Sequence, residues 1–477
     1  MAEYEAVIGL EVHLHLNTKT KAFCGCSTEF GNDANTQTCP VCLGFPGSLP
    51  VYNKIALDYA IKVALALNCK VQEHTKFDRK NYFYPDLPKN YQISQYDLPL
   101  SREGFLEIDL SSGLKRIGIT RVHLEEDAGK LIHEEGVSLV DFNRTGVPLL
   151  EIVSEPDINS PEEAYQYLSA LKCIIEYLDV SDCDMEKGSL RCDANISLRR
   201  KGDKALGIKT ELKNMNSFKG VKDALVYEIE RQSGILDSAG DIIQETRLWD
   251  PKESRTLSMR TKEGAKDYRY FPEPDLPTFN ITAEKVSRVK QEIPELAREK
   301  AQRFTVEYGL SAYEARILVS SKRDSFFAEE CLKNYAPKDK KAVDNWLIGP
   351  LLCEAKSRNT EISALKITPK GLLELIGFVE NGDISNLSAK AALYGMIETG
   401  KDAKVIIKEN NLAQISDGAS LNTIMEEVIA ENPKSVADYK SGKLNALMFL
   451  VGQLMRKSKG KANPKVAQEI LRERLDA

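Results

Sequence analysis

Apolar and polar positions along this chain follow two regimes. In the first part, several segments alternate with a period of two, the signature of strands. Residues 4–16 put Leu10, Val12, Leu14 and Leu16 on one side and Glu11, His13 and His15 on the other. The same alternation runs through residues 117–124, 188–198 and 209–217. Arg191, Asp193, Asn195 and Ser197 share one face of the third segment, and Lys209, Glu211 and Lys213 one face of the fourth. Helical spacing interrupts this pattern at residues 54–67 (Ile55, Tyr59, Val63, Leu67) and at 161–178 (Ala164, Leu168, Leu171, Ile175, Leu178). Ser160 before Pro161, with Glu163 three positions after the serine, predicts a capping-box start.

Prolines after Phe271 mark a boundary, and from about residue 283 helical stripes such as Leu372, Leu375, Ile376 and Val379 take over. The pattern predicts an α+β chain. An antiparallel sheet domain covers residues 1–290, a helical domain 291–405, and a small helical unit 406–477. Four strands that each carry charged groups on a polar face can bring those faces together when they pair. Glu11, His13, Glu126, Asp193 and Glu211 are then candidates for one cluster. Crowded acids favour a hard divalent cation, and magnesium is the usual one where phosphates share its shell. The opposing reading of the first strand is a plain surface strand with a polar outer face.

Composition narrows the classes. The net charge of −6 is mild and leaves room for a local basic face that meets nucleic acid. No apolar run approaches the roughly 18 residues of a membrane span, and the N-terminus lacks a secretory pattern, so the expected setting is the cytoplasm. The ten cysteines then read as free thiols or metal ligands. Cys24, Cys26, Cys39 and Cys42 form two close pairs able to give four thiolates to a structural zinc. Residues 77–96 mix aromatics, amides and cations, Lys80 among them, and suit a loop that stacks on a base and neutralises phosphate, or an aromatic-packed connection. Arg144-Thr145-Gly146 reads either as a turn presenting N–H groups to an anion or as an ordinary loop. Residues 247–277 lack apolar periodicity, and Arg255, Arg260 and Arg269 there suit phosphate contact or a solvated face. The last unit carries Lys434, Lys440, Lys443, Arg456, Lys457, Lys459, Lys461 and Lys465, an electrostatic handle for RNA or a solvated helical face. No Walker loop, dinucleotide fingerprint, H-E-x-x-H or G-x-S-x-G occurs.

The long segments Ile8-Gly9-Leu10-Glu11-Val12-His13, the cysteine quartet, residues 81–86, 123–129, 144–152, 189–195 and 268–277 together resemble the GatB/GatE family of B subunits of tRNA-dependent amidotransferases. The resemblance runs the whole chain. It implies an N-terminal cradle domain, a helical domain and a YqeY-like tail. It implies ATP- and magnesium-dependent phosphorylation of the side-chain carboxylate of Glu-tRNA(Gln) or Asp-tRNA(Asn). Ammonia channelled from a glutaminase A subunit then displaces phosphate, with a C subunit bracing a GatCAB heterotrimer and the tRNA acceptor end and body as partner. Glu11, His13, Glu126, Asp193 and Glu211 match the family's metal and catalytic positions, the four cysteines match its zinc quartet, and Lys80, Arg144, Arg255 and Arg260 are the expected ATP-side cations. The competing classes are a non-catalytic RNA-binding adaptor and a free-standing zinc enzyme. Four thiolates would leave the latter no open zinc position.

Overall fold

The computed structural model describes residues 3–261, 268–413, 418–443, 445–458, 462 and 464–476. The chain divides into two compact units, Met1–Leu296 and Ala297–Ala477.

The first unit is built on a nine-stranded sheet. Its strands in chain order are β1 (Tyr4–His15), β2 (Lys70–Val71), β3 (Ser101–Leu110), β4 (Gly113–Glu126), β5 (Pro148–Ser154), β6 (Leu190–Arg200), β7 (Thr210–Met215), β8 (Glu245–Asp250) and β9 (Arg255–Thr261). Across the sheet they run β9-β8-β7-β6-β1-β5-β4-β3-β2, so the first strand lies in the middle. Neighbours pair antiparallel except β7 and β8, which are parallel. Between those two runs the helix α3 (Phe218–Asp237), because a parallel pair needs a crossover rather than a hairpin. The helices α1 (Lys54–Ala66) and α2 (Pro161–Leu178) join α3 on one face of the sheet. Ile8, Leu10, Val12 and Leu14 of β1, Val122 and Leu124 of β4 and Ile152 of β5 share one core with Ala60, Ile61, Leu168, Leu171 and Val221 of the helices. With the apolar face covered, the alternate positions of the central strands are left on the opposite, polar face.

Local chemistry explains the boundaries. Asn53 caps α1, its side chain accepting from the N–H groups of Ile55 and Ala56. Ser160 caps α2 by accepting from Glu163 N, but the capping box predicted there is only half formed. The Glu163 carboxylate accepts from Asn159 N at 2.7 Å and pairs with Lys115, which pulls it away from the serine backbone. Residues 245–261, irregular by sequence, form β8 and β9 at the edge of the sheet. Their inward positions carry Arg247 and Thr256, which meet the buried Glu228 of α3, and Glu245, which pairs with Arg247, rather than aliphatic groups, so no alternation is visible in the sequence.

Residues 77–96, a loop by their composition, contain two strands. Asp78–Asn81 pairs with Tyr91–Ser94 and with Phe271–Pro272 in a small separate sheet. In the second unit the described residues are helical, with one core from Phe304 to Ile406 and another from Met425 to Leu475. Among the described residues no helix is long and apolar enough to cross a membrane.

Candidate active site and metal centres

The polar face converges on His13. Register puts Glu11 of β1 opposite Asp193 of β6, and His13 opposite both Glu151 of β5 and Arg191 of β6. His123 of β4 lies opposite Glu151, and Glu125 opposite Leu149. His13 Nε2 consequently stands 3.6 Å from Glu11 Oε1, 3.6 Å from Glu125 Oε1 and 3.5 Å from Glu151 Oε2. His123 Nε2 adds contacts of 3.8 Å to Glu125 and 3.6 Å to Glu151, and Arg121 reaches Glu151 at 3.1 Å. Glu11, His13 and Glu151 can each offer one ligand atom within 4.8 Å of the others, and so can His123, Glu125 and Glu151.

The electrostatics of this face call for positive charge. Burial opposes protonation of His13, yet the hydrogen bond to Glu151 and the charges of Glu125 and Glu151 raise its pKa to about 9. Burial and the neighbouring Glu151 push the Glu11 carboxyl up. Glu151 goes the other way, held low by His123 and His13 against the effect of burial. Three carboxylates around one imidazole thus bind a proton where a divalent ion with oxygen and nitrogen ligands would fit. The donor set suits a hard dication in either of the two overlapping positions.

The remaining predicted residues divide. Asp193 and Glu211 lie beside this group, and Lys213 sits between them, bonded to Asp193 and 3.3 Å from Glu211 Oε1. Thr246 donates to Glu211 at 2.7 Å. Glu126 does not join them. Adjacent residues of a strand leave opposite faces, so Glu125 enters the cluster and Glu126 turns away. There it pairs with Lys89 and accepts from Ile93 N at 2.9 Å. Glu125, His123 and Glu151 are the members that reading the sequence missed. The period of two from His123 to Glu125 already puts Glu125, not Glu126, on the face of the histidine. Glu151 was hidden because β5 is a central strand, and its run Pro-Leu-Leu-Glu-Ile-Val-Ser does not alternate.

Lys80 faces the cluster. Burial would lower its pKa, but Glu125 and Glu151, with Tyr270 and Tyr82, hold it above the ordinary lysine value. Its ammonium lies 5.0 Å from the centre of the Tyr268 ring and 5.9 Å from that of Tyr82. Arg144 is engaged elsewhere, 3.3 Å from Asp127 and donating to the carbonyls of Ala128 and Gly129 at 3.0 and 2.6 Å. The N–H groups after it in the turn are engaged within the chain. Thr145 N, Gly146 N and Val147 N donate to the carbonyls of Phe142, Asp127 and Arg144. Arg144 and His15 do line a cleft of about 860 Å³ together with Lys19, Lys130 and Lys187. Arg255 is exposed at the turn end of the β8–β9 hairpin, opposite Asp250. The Arg260 backbone pairs with Thr246, and its side chain lies outside the described residues.

The second centre is the cysteine quartet. Sulfurs of Cys24, Cys26, Cys39 and Cys42 lie within 4.8 Å of one another. Cys39 N–H donates to Cys42 Sγ at 3.2 Å, the kind of backbone contact that orients a metal-bound thiolate. Four sulfurs at this spacing fit a closed tetrahedral zinc site.

A mixed sheet with helices on one face, a carboxylate–histidine cluster on the other and a cysteine quartet in the same unit form the candidate site. The chain belongs to the GatB/GatE family: the GatB/GatE catalytic domain model matches residues 6–287, and a GatB domain model of the YqeY type matches residues 326–475. Among its relatives is a protein of Carboxydothermus hydrogenoformans, 55% identical over 100% of this chain and 99% of its own length. A Brevibacillus brevis protein is 52% identical, with 100% of each chain covered. A Moorella thermoacetica protein is 53% identical over 99% of this chain and 100% of its own. All three are named as the B subunit of aspartyl/glutamyl-tRNA(Asn/Gln) amidotransferase.

Proposed function

We propose that this chain activates the side-chain carboxylate of a misacylated tRNA at the His13-centred face. The activity class follows from the family and its full-length relatives: the chain works in tRNA-dependent amidation, as part of a carbon–nitrogen ligase. The finer reading is that Glu-tRNA(Gln), Asp-tRNA(Asn) or both are phosphorylated with ATP. Ammonia from a glutaminase A subunit then replaces phosphate, with a C subunit completing the assembly in the cytoplasm.

A free carboxylate is a poor acyl donor because oxide would have to leave. Phosphorylation makes that oxygen part of a phosphate, which leaves readily when the ammonia nitrogen attacks the carbonyl carbon. The transferring phosphoryl group carries spread negative charge, so the site must supply positive charge to it. Glu11, His13, Glu125 and Glu151, with His123, are the residues that would hold magnesium, and magnesium would supply that charge when bound. Lys80 brings a fixed ammonium to the same face, and Lys213 keeps Asp193 and Glu211 from repelling one another. Arg121 orients Glu151. The exposed Phe83 and Tyr84, following Tyr82 beside Lys80, offer surfaces on which a terminal base can stack. The cysteine quartet holds zinc as a structural knuckle.

The single observation carrying this reading is His13 Nε2 within 3.6 Å of three carboxylates on one sheet face. Glu151→Gln removes the carboxylate shared by both candidate ligand groups. We expect ATP-dependent phosphorylation of glutamyl-tRNA(Gln) by the assembled complex to fall about 100-fold, with the far-ultraviolet dichroism unchanged. Wild-type rates in this variant would overturn the reading.

A further inference from the structure

Lys21 presents a problem that the proposed activity leaves open. It is completely buried. The three N–H bonds of its ammonium point to Gln37 O at 2.7 Å, Phe142 O at 3.2 Å and Cys42 Sγ at 3.7 Å. A buried ammonium needs an anionic partner, because neutral carbonyls do not offset the loss of water around a full charge. Of the two carboxylates lining the same small cavity, Glu126 is held by Lys89 and Asp275 by Arg79. That leaves sulfur. Four neutral thiols would not compensate Lys21, but four thiolates on one zinc dication carry a net charge of about −2.

We infer that Lys21 is the charge partner of the metal-loaded cysteine quartet, donating an N–H to Cys42 Sγ and lowering the tendency of the cluster to lose its ion. This rests on the reading of the quartet as a zinc site. The same side chain ties the knuckle to the body of the sheet domain through Phe142 O, while its neighbour Ala22 donates to Gly146 O at 2.8 Å. Lys21 is therefore a positioning residue: it touches a ligand of the metal, not the metal.

The test uses the full chain. Metal content of the purified wild type is measured first by atomic emission, and about one zinc per chain is expected. Release to a chromogenic chelator is then followed in wild type, Lys21→Met, Lys21→Gln and Lys21→Arg. We expect release about tenfold faster in the two neutral variants and a rate near wild type in Lys21→Arg. In cobalt-substituted protein, the sulfur-to-metal charge-transfer band should move to lower energy in the neutral variants, because a thiolate that loses a hydrogen bond holds its electrons less tightly. Two neutral variants are used so that loss of the fold in one leaves the other to decide. A wild type without bound metal would overturn both this inference and the zinc reading. Zinc-loaded wild type with unchanged release and spectra in both neutral variants would overturn the role of Lys21 alone.

Discussion

His13 shows how much of the chemistry is a matter of single positions. Its neighbours in space come from three strands, and shifting any of those strands by one residue would turn its acids to the other face of the sheet. Glu125 and Glu126 are the sharpest case: identical side chains, adjacent in sequence, both buried, yet turned to opposite sides of β4. Their substitutions should separate. Glu125→Gln should raise the magnesium concentration needed for half-maximal phosphorylation by about tenfold or more. Glu126→Gln should leave that requirement within about twofold, because its carboxylate serves Lys89 and the Ile93 N–H. Magnesium titrations of tRNA-dependent ATP consumption distinguish the two, and a reversed order would place the metal on the other side of the strand. Sequence periodicity already contained this distinction. What it lacked was the pairing partner, since only β5 lying between β1 and β4 brings Glu151 to both histidines.

Among the elements, the amphipathic helices with an aliphatic stripe were legible, and the edge strands whose buried face is polar were not. α2 occupies Pro161–Leu178, as its stripe of Ala164, Leu168, Leu171, Ile175 and Leu178 implies. β8 and β9 escaped because their inner side meets Glu228, a fully buried carboxylate. Arg231 donates to it at 3.0 and 3.1 Å, Gln232 at 2.9 Å and Thr256 at 3.1 Å, and Arg247 stands 3.7 Å away. This network fastens the sheet edge to α3 in place of an apolar contact. Glu228→Ala would leave two half-buried arginines to share Glu245, 2.6 Å from Arg247 and 3.8 Å from Arg231. We expect a loss of about 3–5 kcal/mol in urea unfolding, with faster amide exchange along β9. A loss below about 1 kcal/mol would show that solvent reaches these arginines and screens them.

For the whole molecule, charge matters by location rather than by total. The chain is net acidic, yet a count of lysines makes its last helices basic. The folded tail changes that count. Lys457 is paired with Glu427 and Glu431, and Lys443 with Asp438. Lys459 and Lys461 lie outside the described residues, as does the side chain of Lys465. Lys434 and Lys440 are exposed on the helix Pro433–Lys440. If the tail meets the tRNA backbone, Lys434→Ala with Lys440→Ala should weaken tRNA binding and reduce the salt slope by about 1 for each phosphate that is no longer neutralised. Lys457→Ala should do less, since its charge is already neutralised within the tail. Filter binding across a salt series reads both, and equal effects would remove the distinction.

The amino-acid sequence by itself determined the α+β class, the first strand with its polar face, the amphipathic helices, the cysteine quartet and the resemblance to a family. Each rests on local period or local spacing, which a chain carries without knowing its neighbours. Tertiary structure alone decided which acids share a face with His13, that Thr145 and Gly146 spend their N–H groups on carbonyls of the chain, and that a lysine is buried against the thiols. Those depend on strand order and register, long-range contacts that no window of adjacent residues encodes.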